Sequence, residues 1–150
     1  MKKTYLTTSP GQTKKLGENL AKEILKTRTG KRAFIVGLEG DLGGGKTTFL
    51  QGFAKGLGIK EKILSPTFVI IKKFLIFNFQ FSNFYHLDCY RIEKPKEILD
   101  LGFKEIISNP KNIVAIEWAE KIKKILPKGT IWINLQFIDK NIRKLIIIKE

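Results

Sequence analysis

Residues 39–48 read EGDLGGGKTT, and this stretch decides the fold. Glycine loses more conformational freedom on folding than any other residue, so three consecutive glycines inside a folded domain need a physical reason. Positions 40–47 match the pattern G-x-x-x-x-G-K-[ST], in which backbone N–H groups surround a phosphate chain that a Cβ would keep away. The pattern predicts a nucleoside triphosphate site. In such a site Lys46 contacts the β- and γ-phosphates, and the Thr47 hydroxyl holds Mg²⁺.

The segments on either side of the loop have the context that a phosphate loop requires. Before it, residues 33–38 read AFIVGL, a short apolar run typical of a strand buried on both faces. After it, the apolar positions of an amphipathic helix extend as far as Gly58. The N-terminus of that helix directs its unpaired N–H groups and its positive dipole end toward the same anion. This context argues against an accidental match. The predicted nucleotide-binding residues of the loop are Asp41, Leu42, Gly43, Gly44, Gly45, Lys46, Thr47 and Thr48.

The remainder of the chain alternates helices with strands. A capping box, Ser9-Pro10-Gly11-Gln12, predicts a helix over about 9–26. Further strands are expected at 68–77, 83–90 and 112–118, with helical segments at 95–101, 103–107 and 119–126. Segments 131–138 and 142–148 predict a closing hairpin. The pattern predicts one α/β domain over residues 1–150, a three-layer P-loop NTPase fold with a mostly parallel sheet and antiparallel edge hairpins.

A triphosphate site needs a further carboxylate near Mg²⁺, usually at the carboxyl end of a neighbouring strand. Three residues are candidates: Glu117 ends the apolar run 113–116, Asp88 lies within a strand of bulky residues, and Asp41 lies in the loop itself. Glu117 could instead be a solvated strand end, and Asp88 could form a structural pair with Arg91 or a turn. The residue pattern leaves this choice open.

Three other residues have a chemical and a structural interpretation. Thr67, in Ser65-Pro66-Thr67, is a candidate switch residue that senses the γ-phosphate, or part of an ordinary proline turn. His86 is the single histidine, and with no accompanying nucleophile motif a structural role is expected. Cys89 is the single cysteine, so no intramolecular disulfide can form, and a reducing cytoplasm is predicted. Cys89 is expected in the core, and no Cys/His pair has the spacing of a zinc site.

The net charge of +14 has two interpretations. Clustered Lys and Arg would indicate a polyanionic partner such as RNA, whereas abundant Lys, Ile, Phe and Asn are also expected of a genome rich in A and T. The lysines are spread along the chain and few of the basic residues are arginines, which favours the second interpretation. No apolar run reaches the roughly 18 residues that span a bilayer, and the N-terminus lacks a signal-peptide pattern, so no membrane association is expected.

Phe77, Phe79 and Phe81 alternate with polar residues in the strand-rich middle of the chain. Such an arrangement could form a platform on which nucleic-acid bases stack. A sheet face or a hairpin edge is the more common meaning of this alternation, and it is the preferred interpretation.

Four stretches occur together and in order: GDLGGGKTT (40–48), SPTF (65–68), YHLDCYR (85–91) and IVAIEW (113–118). This set resembles the TsaE family, small bacterial P-loop ATPases of the tRNA threonylcarbamoyladenosine pathway. The resemblance extends from about Thr13 to Leu126. It implies binding of ATP and Mg²⁺, slow ATP hydrolysis, and work with the TsaD and TsaB proteins, which modify adenosine 37 of tRNA. Contact with tRNA would then be indirect, through that complex.

The resemblance also implies roles for individual residues. Thr47 and Glu117 fall on the Mg²⁺ ligands, and Asp88 falls on an acid that the family needs for activity. Thr67 matches the switch-like loop, and Thr13 falls where the family contacts the nucleotide outside the P-loop. The implied catalytic residues are therefore Asp88, Lys46 and Thr67, and Trp118 matches the tryptophan that follows the metal acid.

The sequence departs from the family pattern at two places. Gly44 replaces a common alanine, and segment 74–84 is unusually aromatic.

Two other functions are compatible with the same motifs. A small-molecule kinase would share the P-loop, but such kinases usually carry an arginine-rich lid, and arginine is scarce here. An RNA-binding module that uses the nucleotide as a switch would fit the charge and the Phe run.

Overall fold

The computed structural model describes residues 1–41, 43, 45–63 and 70–149. Within these residues the strands are β1 (Lys2–Thr7), β2 (Phe34–Gly40), β3 (Ile71–Leu75), β4 (Asn83–Asp88), β5 (Asn112–Glu117), β6 (Ile131–Asp139) and β7 (Ile142–Ile148). The helices are α1 (Pro10–Leu25), α2 (Lys46–Gly56), α3 (Pro95–Leu99) and α4 (Phe103–Ser108), followed by a 3₁₀ helix, Ala119–Ile125.

All the described strands belong to one sheet in the order β1-β7-β6-β2-β5-β4-β3. The four central strands, β6, β2, β5 and β4, pair in parallel. The outer pairs β1–β7, β6–β7 and β3–β4 are antiparallel. The α/β fold with antiparallel edges is therefore confirmed, with parallel pairing confined to the centre of the sheet.

Helices cover both faces of the sheet and give the predicted three layers. One apolar cluster joins α1 and α2 to the sheet through residues such as Leu20, Phe53 and Val36. A second cluster joins α3, α4 and the 3₁₀ helix to the opposite face through Ile98 and Ile35 among others. Because β2 and β5 are buried on both faces, they are continuous apolar runs rather than alternating ones.

The structure differs from the sequence prediction at three strands, of which β3 ends at Leu75, two residues before the predicted end. β1 was not predicted; its burial is low except at Thr7, and it pairs with β7 from the far end of the chain. The strand predicted at 83–90 ends at Asp88, where the carboxylate accepts a hydrogen bond from the Tyr90 N–H at 3.0 Å and begins a turn. At the start of α1 the Ser9 hydroxyl accepts from the Gln12 N–H as predicted, whereas the Gln12 side-chain oxygen accepts from the Thr8 N–H instead of the Ser9 N–H, so half of the predicted capping box forms.

The parallel strands bring the predicted chemical residues to one edge of the sheet. Gly40 ends β2, Glu117 ends β5 and Asp88 ends β4. Because β4 and β5 pair in register, Asp88 lies directly opposite Glu117. Ligands of open α/β sheets bind beyond the carboxyl ends of such strands. Across the described part of the chain, no helix combines the length and the apolar character needed to cross a bilayer.

Candidate functional site

The loop between β2 and α2 has the backbone conformation that a phosphate site needs. Gly43 and Gly45 have φ values of 75° and 98°, in the region that residues with a Cβ rarely adopt. Gly45 lies immediately before α2, and because it is a glycine it has no side chain to cap the first N–H groups of that helix. An anion at this end would meet both the N–H groups and the positive end of the helix dipole. Leu42 and Gly44 lie outside the described residues.

Lys46 is buried at the start of α2, with its ammonium held inside the loop. Its Nζ donates to the backbone oxygens of Gly40 at 3.0 Å and Asp41 at 2.8 Å. The same Nζ lies 4.1 Å from the centre of the Trp118 ring, a cation–π distance. Burial lowers the pKa of Lys46, and the charges of nearby carboxylates, led by that of Glu120, oppose this effect. The ammonium thus points into the loop, where its direct contacts are two carbonyl oxygens and an aromatic ring.

Thr47, Glu117 and His86 form a chain of hydrogen bonds at the ends of α2, β5 and β4. The Thr47 hydroxyl donates to Glu117 Oε1 at 3.1 Å. Glu117 Oε2 lies 2.7 Å from His86 Nε2. Glu117 is 3% exposed and His86 is 1% exposed, so this buried carboxylate is held on one oxygen by a buried ring and on the other by the half-buried Thr47. His86, for which a structural role was expected, therefore orients a site residue.

The donor set fits Mg²⁺. This ion takes oxygen ligands, keeps several waters and is usually held by one or two protein oxygens together with substrate phosphates. The Thr47 hydroxyl and the Glu117 carboxylate, already adjacent at the mouth of the phosphate loop, supply such oxygens. These two residues would hold the ion.

Asp41, the third acid considered, is directed elsewhere. Its Oδ2 accepts a hydrogen bond from the Phe137 N–H of β6 at 3.1 Å. The carboxylate therefore ties the phosphate loop to the neighbouring strand. Its backbone oxygen, as noted, accepts from Lys46. The contacts of Asp41 make it a support of the loop, whereas those of Glu117 favour the metal.

Asp88 lies beside Glu117 at the same edge of the sheet and is mostly buried, with 9% exposed. Burial raises the pKa of Asp88 most, and the neighbouring Glu117 charge adds to this. The hydrogen bond from the Tyr90 N–H and the charges of His86 and Lys121 oppose the rise. A carboxylate whose pKa is raised by burial binds a proton more readily than an ordinary Asp. That property suits a group that orients a water molecule or accepts a proton from it.

A cleft of about 310 Å³ opens above the loop. Thr13 and Thr48, both predicted to contact the nucleotide, line it together with Lys46, Thr47 and Glu117. The hydroxyl of Thr13 forms a hydrogen bond with that of Thr7 at 2.7 Å, which connects β1 to the cleft wall. Thr67 lies outside the described residues, so its predicted switch role stays a prediction.

The β6–β7 turn contributes a wall that sequence reasoning missed. Lys140, Asn141 and Arg143 line the cleft. The Arg143 Nε donates to the Gly43 oxygen at 3.0 Å, and its guanidinium lies 4.5 Å from the centre of the Phe137 ring. A basic residue in a hairpin turn is a common surface feature, and only the sheet order places this turn beside the phosphate loop.

Comparisons with known proteins agree with this geometry. A family model described as "Threonylcarbamoyl adenosine biosynthesis protein TsaE" matches residues 7–145. The chain is 44% identical over 117 residues to a Rickettsia typhi protein named "tRNA threonylcarbamoyladenosine biosynthesis protein TsaE", covering 77% of this chain and 78% of that protein. A Bacillus subtilis protein of the same name is 39% identical over 132 residues, covering 88% and 76% respectively.

A solved structure is also similar over nearly the whole chain. The crystal structure of Bacillus subtilis YdiB superposes with a TM-score of 0.71 at 31% sequence identity, covering 98% of this chain and 84% of that one. The family match includes the phosphate loop, the ends of β4 and β5, and most of the closing hairpin. The chain belongs to the TsaE family.

Proposed function

We propose that this protein is a slow, Mg²⁺-dependent ATPase that supports threonylcarbamoyl modification of adenosine 37 in tRNA, acting as an accessory subunit of the TsaB–TsaD complex. The observation that carries the ATPase is the contact of Thr47 with Glu117 at the mouth of a glycine loop that also holds Lys46. The tRNA-modification role is supported by family membership and by the names of the relatives. That pathway, and a lone buried thiol, favour a cytoplasmic location.

The loop residues divide the work of holding the triphosphate. The glycines leave room for a phosphate chain against the backbone, and the N-terminus of α2 supplies N–H groups to it. Lys46 can exchange its two backbone acceptors for phosphate oxygens, because its ammonium already lies within the loop. Bound Mg²⁺ would neutralise charge on the phosphate oxygens. Thr13 and the β6–β7 turn form the remaining walls of the cleft.

Asp88 is assigned to orienting the attacking water. It lies opposite Glu117 across paired strands, and because burial raises its pKa, its ionised form is a stronger base than an ordinary aspartate. Asp88 must be ionised to accept a proton from the attacking water, so the raised pKa also makes hydrolysis fall off at low pH sooner than an ordinary aspartate would. A group supplied by a partner protein would add to what these residues provide, as trans-acting arginines do in other P-loop enzymes.

A small-molecule kinase is the weaker alternative. Among the described residues that line the cleft, Arg143 is the one arginine, and it is engaged with the Gly43 oxygen and with backbone oxygens of its own turn. Small-molecule kinases that share the P-loop usually close an arginine-rich lid over the phosphates, and the described cleft residues include this one arginine. The cleft favours hydrolysis.

The test is Mg²⁺-dependent ATP hydrolysis by the purified protein, alone and with TsaB and TsaD. We expect slow turnover alone and a rate that changes when both partners are present. Lys46→Ala should lose tight ATP binding, while Lys55→Ala, at the other end of the same helix, should behave as wild type. Normal hydrolysis by Lys46→Ala would overturn the site, and phosphoryl transfer to a small molecule with no partner effect would favour the kinase.

A further inference from the structure

The turn between β3 and β4 presents two phenylalanines to solvent. Phe77 is 95% exposed and Phe79 is 102% exposed. Phe81, two residues further on, is fully buried and packs edge-on against Phe34 with ring centres 5.8 Å apart. We call residues 76–82 the aromatic tip. The sequence alternation therefore separates into one anchoring ring and two presented rings.

The aromatic tip is held in this arrangement by hydrogen bonds. The Asn78 side-chain oxygen accepts from the N–H groups of Gln80 at 2.9 Å and Phe81 at 3.3 Å. Gln80 Oε1 accepts from the Thr29 N–H at 3.0 Å, which fastens the tip to the loop that follows α1. The Ser82 N–H donates to the Lys111 oxygen at 2.8 Å, which fastens it to the segment before β5. The backbone that presents the two rings is thus fixed by the fold, so binding would not have to order it.

The segments that meet at the aromatic tip carry positive charge and no carboxylate. They are residues 26–33, 76–83 and 108–112, and none contains Asp or Glu. The Lys111 ammonium is within 3.4 Å of the Phe79 oxygen, at the tip itself. Thr29 and Gln80 bring the first of these segments against the tip. The basic residues of these segments are Lys26, Arg28, Lys31, Arg32 and Lys111.

We propose that the aromatic tip and these basic residues form a binding surface for single-stranded RNA. Presented aromatic rings beside cations, without acids, are what sequence-tolerant single-strand binding uses: bases stack on the rings and the cations follow the phosphates. A duplex has its base faces already stacked, so it would engage the cations alone. The positive charge of these segments is complementary to a polyanion. The rings supply surfaces on which bases can stack, which exposed lysines alone do not provide.

This surface is distant from the nucleotide cleft and does not depend on the proposed ATPase. The aromatic tip precedes β4 and adjoins the start of β5, where Asn83 pairs with Asn112. Asp88 and Glu117 lie at the other ends of those strands. A six-residue strand spans about 20 Å, so RNA at the tip would leave the cleft open.

The experiment measures fluorescence anisotropy of a labelled 12-nucleotide single-stranded RNA and of a matched RNA duplex, at several NaCl concentrations. We expect the double variant Phe77→Ala/Phe79→Ala to weaken single-strand binding about tenfold or more while leaving duplex binding unchanged. Lys111→Ala should reduce the slope of log affinity against log salt by about 0.7. The control Leu6→Ala/Leu101→Ala removes two exposed apolar side chains elsewhere and should bind as wild type.

Several outcomes would overturn the proposal. These are an unchanged single-strand affinity in the double variant, an equal loss for duplex, or no RNA binding by the wild-type protein. Loss of binding to vesicles of zwitterionic and anionic phospholipid, with RNA affinity retained, would assign the rings to a membrane surface instead. Lys46→Ala should bind RNA normally, which separates this proposal from the ATPase: either can fail while the other stands. ATP binding by the double variant shows that it is folded.

Discussion

At the scale of single residues, the site depends on a carboxylate held from two sides. Glu117 is fixed by the Thr47 hydroxyl on one oxygen and by His86 on the other. Truncating the side chain of a buried, hydrogen-bonded carboxylate leaves its partners without hydrogen bonds, whereas replacing it with the isosteric amide can keep part of the contact. Charge and position can therefore be tested separately at this residue.

Glu117→Gln should reduce Mg²⁺-dependent ATP hydrolysis by about 100-fold and ATP binding by much less. The amide keeps the size of the side chain and can accept from Thr47, but it removes the charge that would face Mg²⁺. Turnover is measured by phosphate release, and binding by a fluorescent ATP analogue. The control is Glu120→Gln on the neighbouring 3₁₀ helix, which should hydrolyse ATP nearly as well as wild type. Equal hydrolysis by wild type and Glu117→Gln would assign the metal to another acid.

Cys89 gives a prediction for alkaline pH. Burial, with a further contribution from Asp88, raises the pKa of this thiol to about 12, whereas an unfolded thiol titrates near 8.5. The native state then holds more protons than the unfolded state between these values, so the free energy of unfolding falls as pH rises through this window. The thiol contributes no such loss below it.

Cys89→Ala should therefore lose less stability than wild type between pH 9 and pH 11. The slopes of the free energy of unfolding against pH should differ by about 1 kcal/mol per pH unit, because the native wild type holds one proton that its unfolded state has lost. Urea unfolding at each pH measures these free energies. Titration of the lysines affects both proteins equally, so it does not contribute to the difference. The variant should have a lower stability at pH 7, since a core side chain is truncated. Parallel pH curves would mean that the native thiol ionises normally.

At the scale of elements, α1 and α2 approach each other more closely than side chains permit. A Cβ added at Gly52 would lie 1.9 Å from the Lys14 oxygen, and one at Gly17 would lie 2.2 Å from the Phe49 oxygen. These glycines let the backbones of the two helices touch, and α2 carries the phosphate-binding residues at its start. Helix contact and site position are thus coupled.

Gly52→Ala should destabilise the protein by about 2–3 kcal/mol, although alanine is the better helix former by about 1 kcal/mol. The backbone clash requires α1 and α2 to separate, which outweighs the propensity. Thermal unfolding should show a midpoint lower by roughly 5–10 °C. The control is Gly11→Ala near the start of α1, where the nearest atom to a new Cβ is Ser9 Oγ at 3.8 Å. It should unfold as wild type does, and equal midpoints for Gly52→Ala would contradict the close contact.

The elements also show which features a sequence can predict. The start of α1, the buried runs of β2 and β5 and the closing hairpin depend on local patterns, and the structure has them where the patterns indicate. β1 could not be predicted, because its strand character comes from pairing with β7 at the other end of the chain. The cleft shows the same division. Strand-end reasoning made Glu117 one of three candidate acids and the family resemblance put it beside Thr47, whereas Arg143 reaches Gly43 only through the order of the sheet.

At the scale of the whole molecule, charge is unbalanced. Twenty-eight Lys and Arg face 14 Asp and Glu. The ion pairs between Lys and Glu within the described residues involve only Glu18 and Glu23, and both groups have exposed partners. Exposed pairs of this kind contribute about 0–1 kcal/mol each. Repulsion among the remaining cations opposes the compact state, and its range is set by salt.

Raising NaCl from about 10 mM to about 150 mM should therefore increase the unfolding midpoint by a few degrees, because the screening length falls from roughly 30 Å to 8 Å. If surface ion pairs dominated instead, the midpoint would fall. Differential scanning fluorimetry without nucleotide measures the effect. The variant Lys3→Glu/Lys124→Glu lowers the net charge by two at each position, from +14 to +10, at exposed sites away from the cleft and the aromatic tip. It should be more stable than wild type at low salt and show a smaller response to NaCl, whereas an unchanged response would mean that the excess charge is already dispersed enough to have no effect on stability.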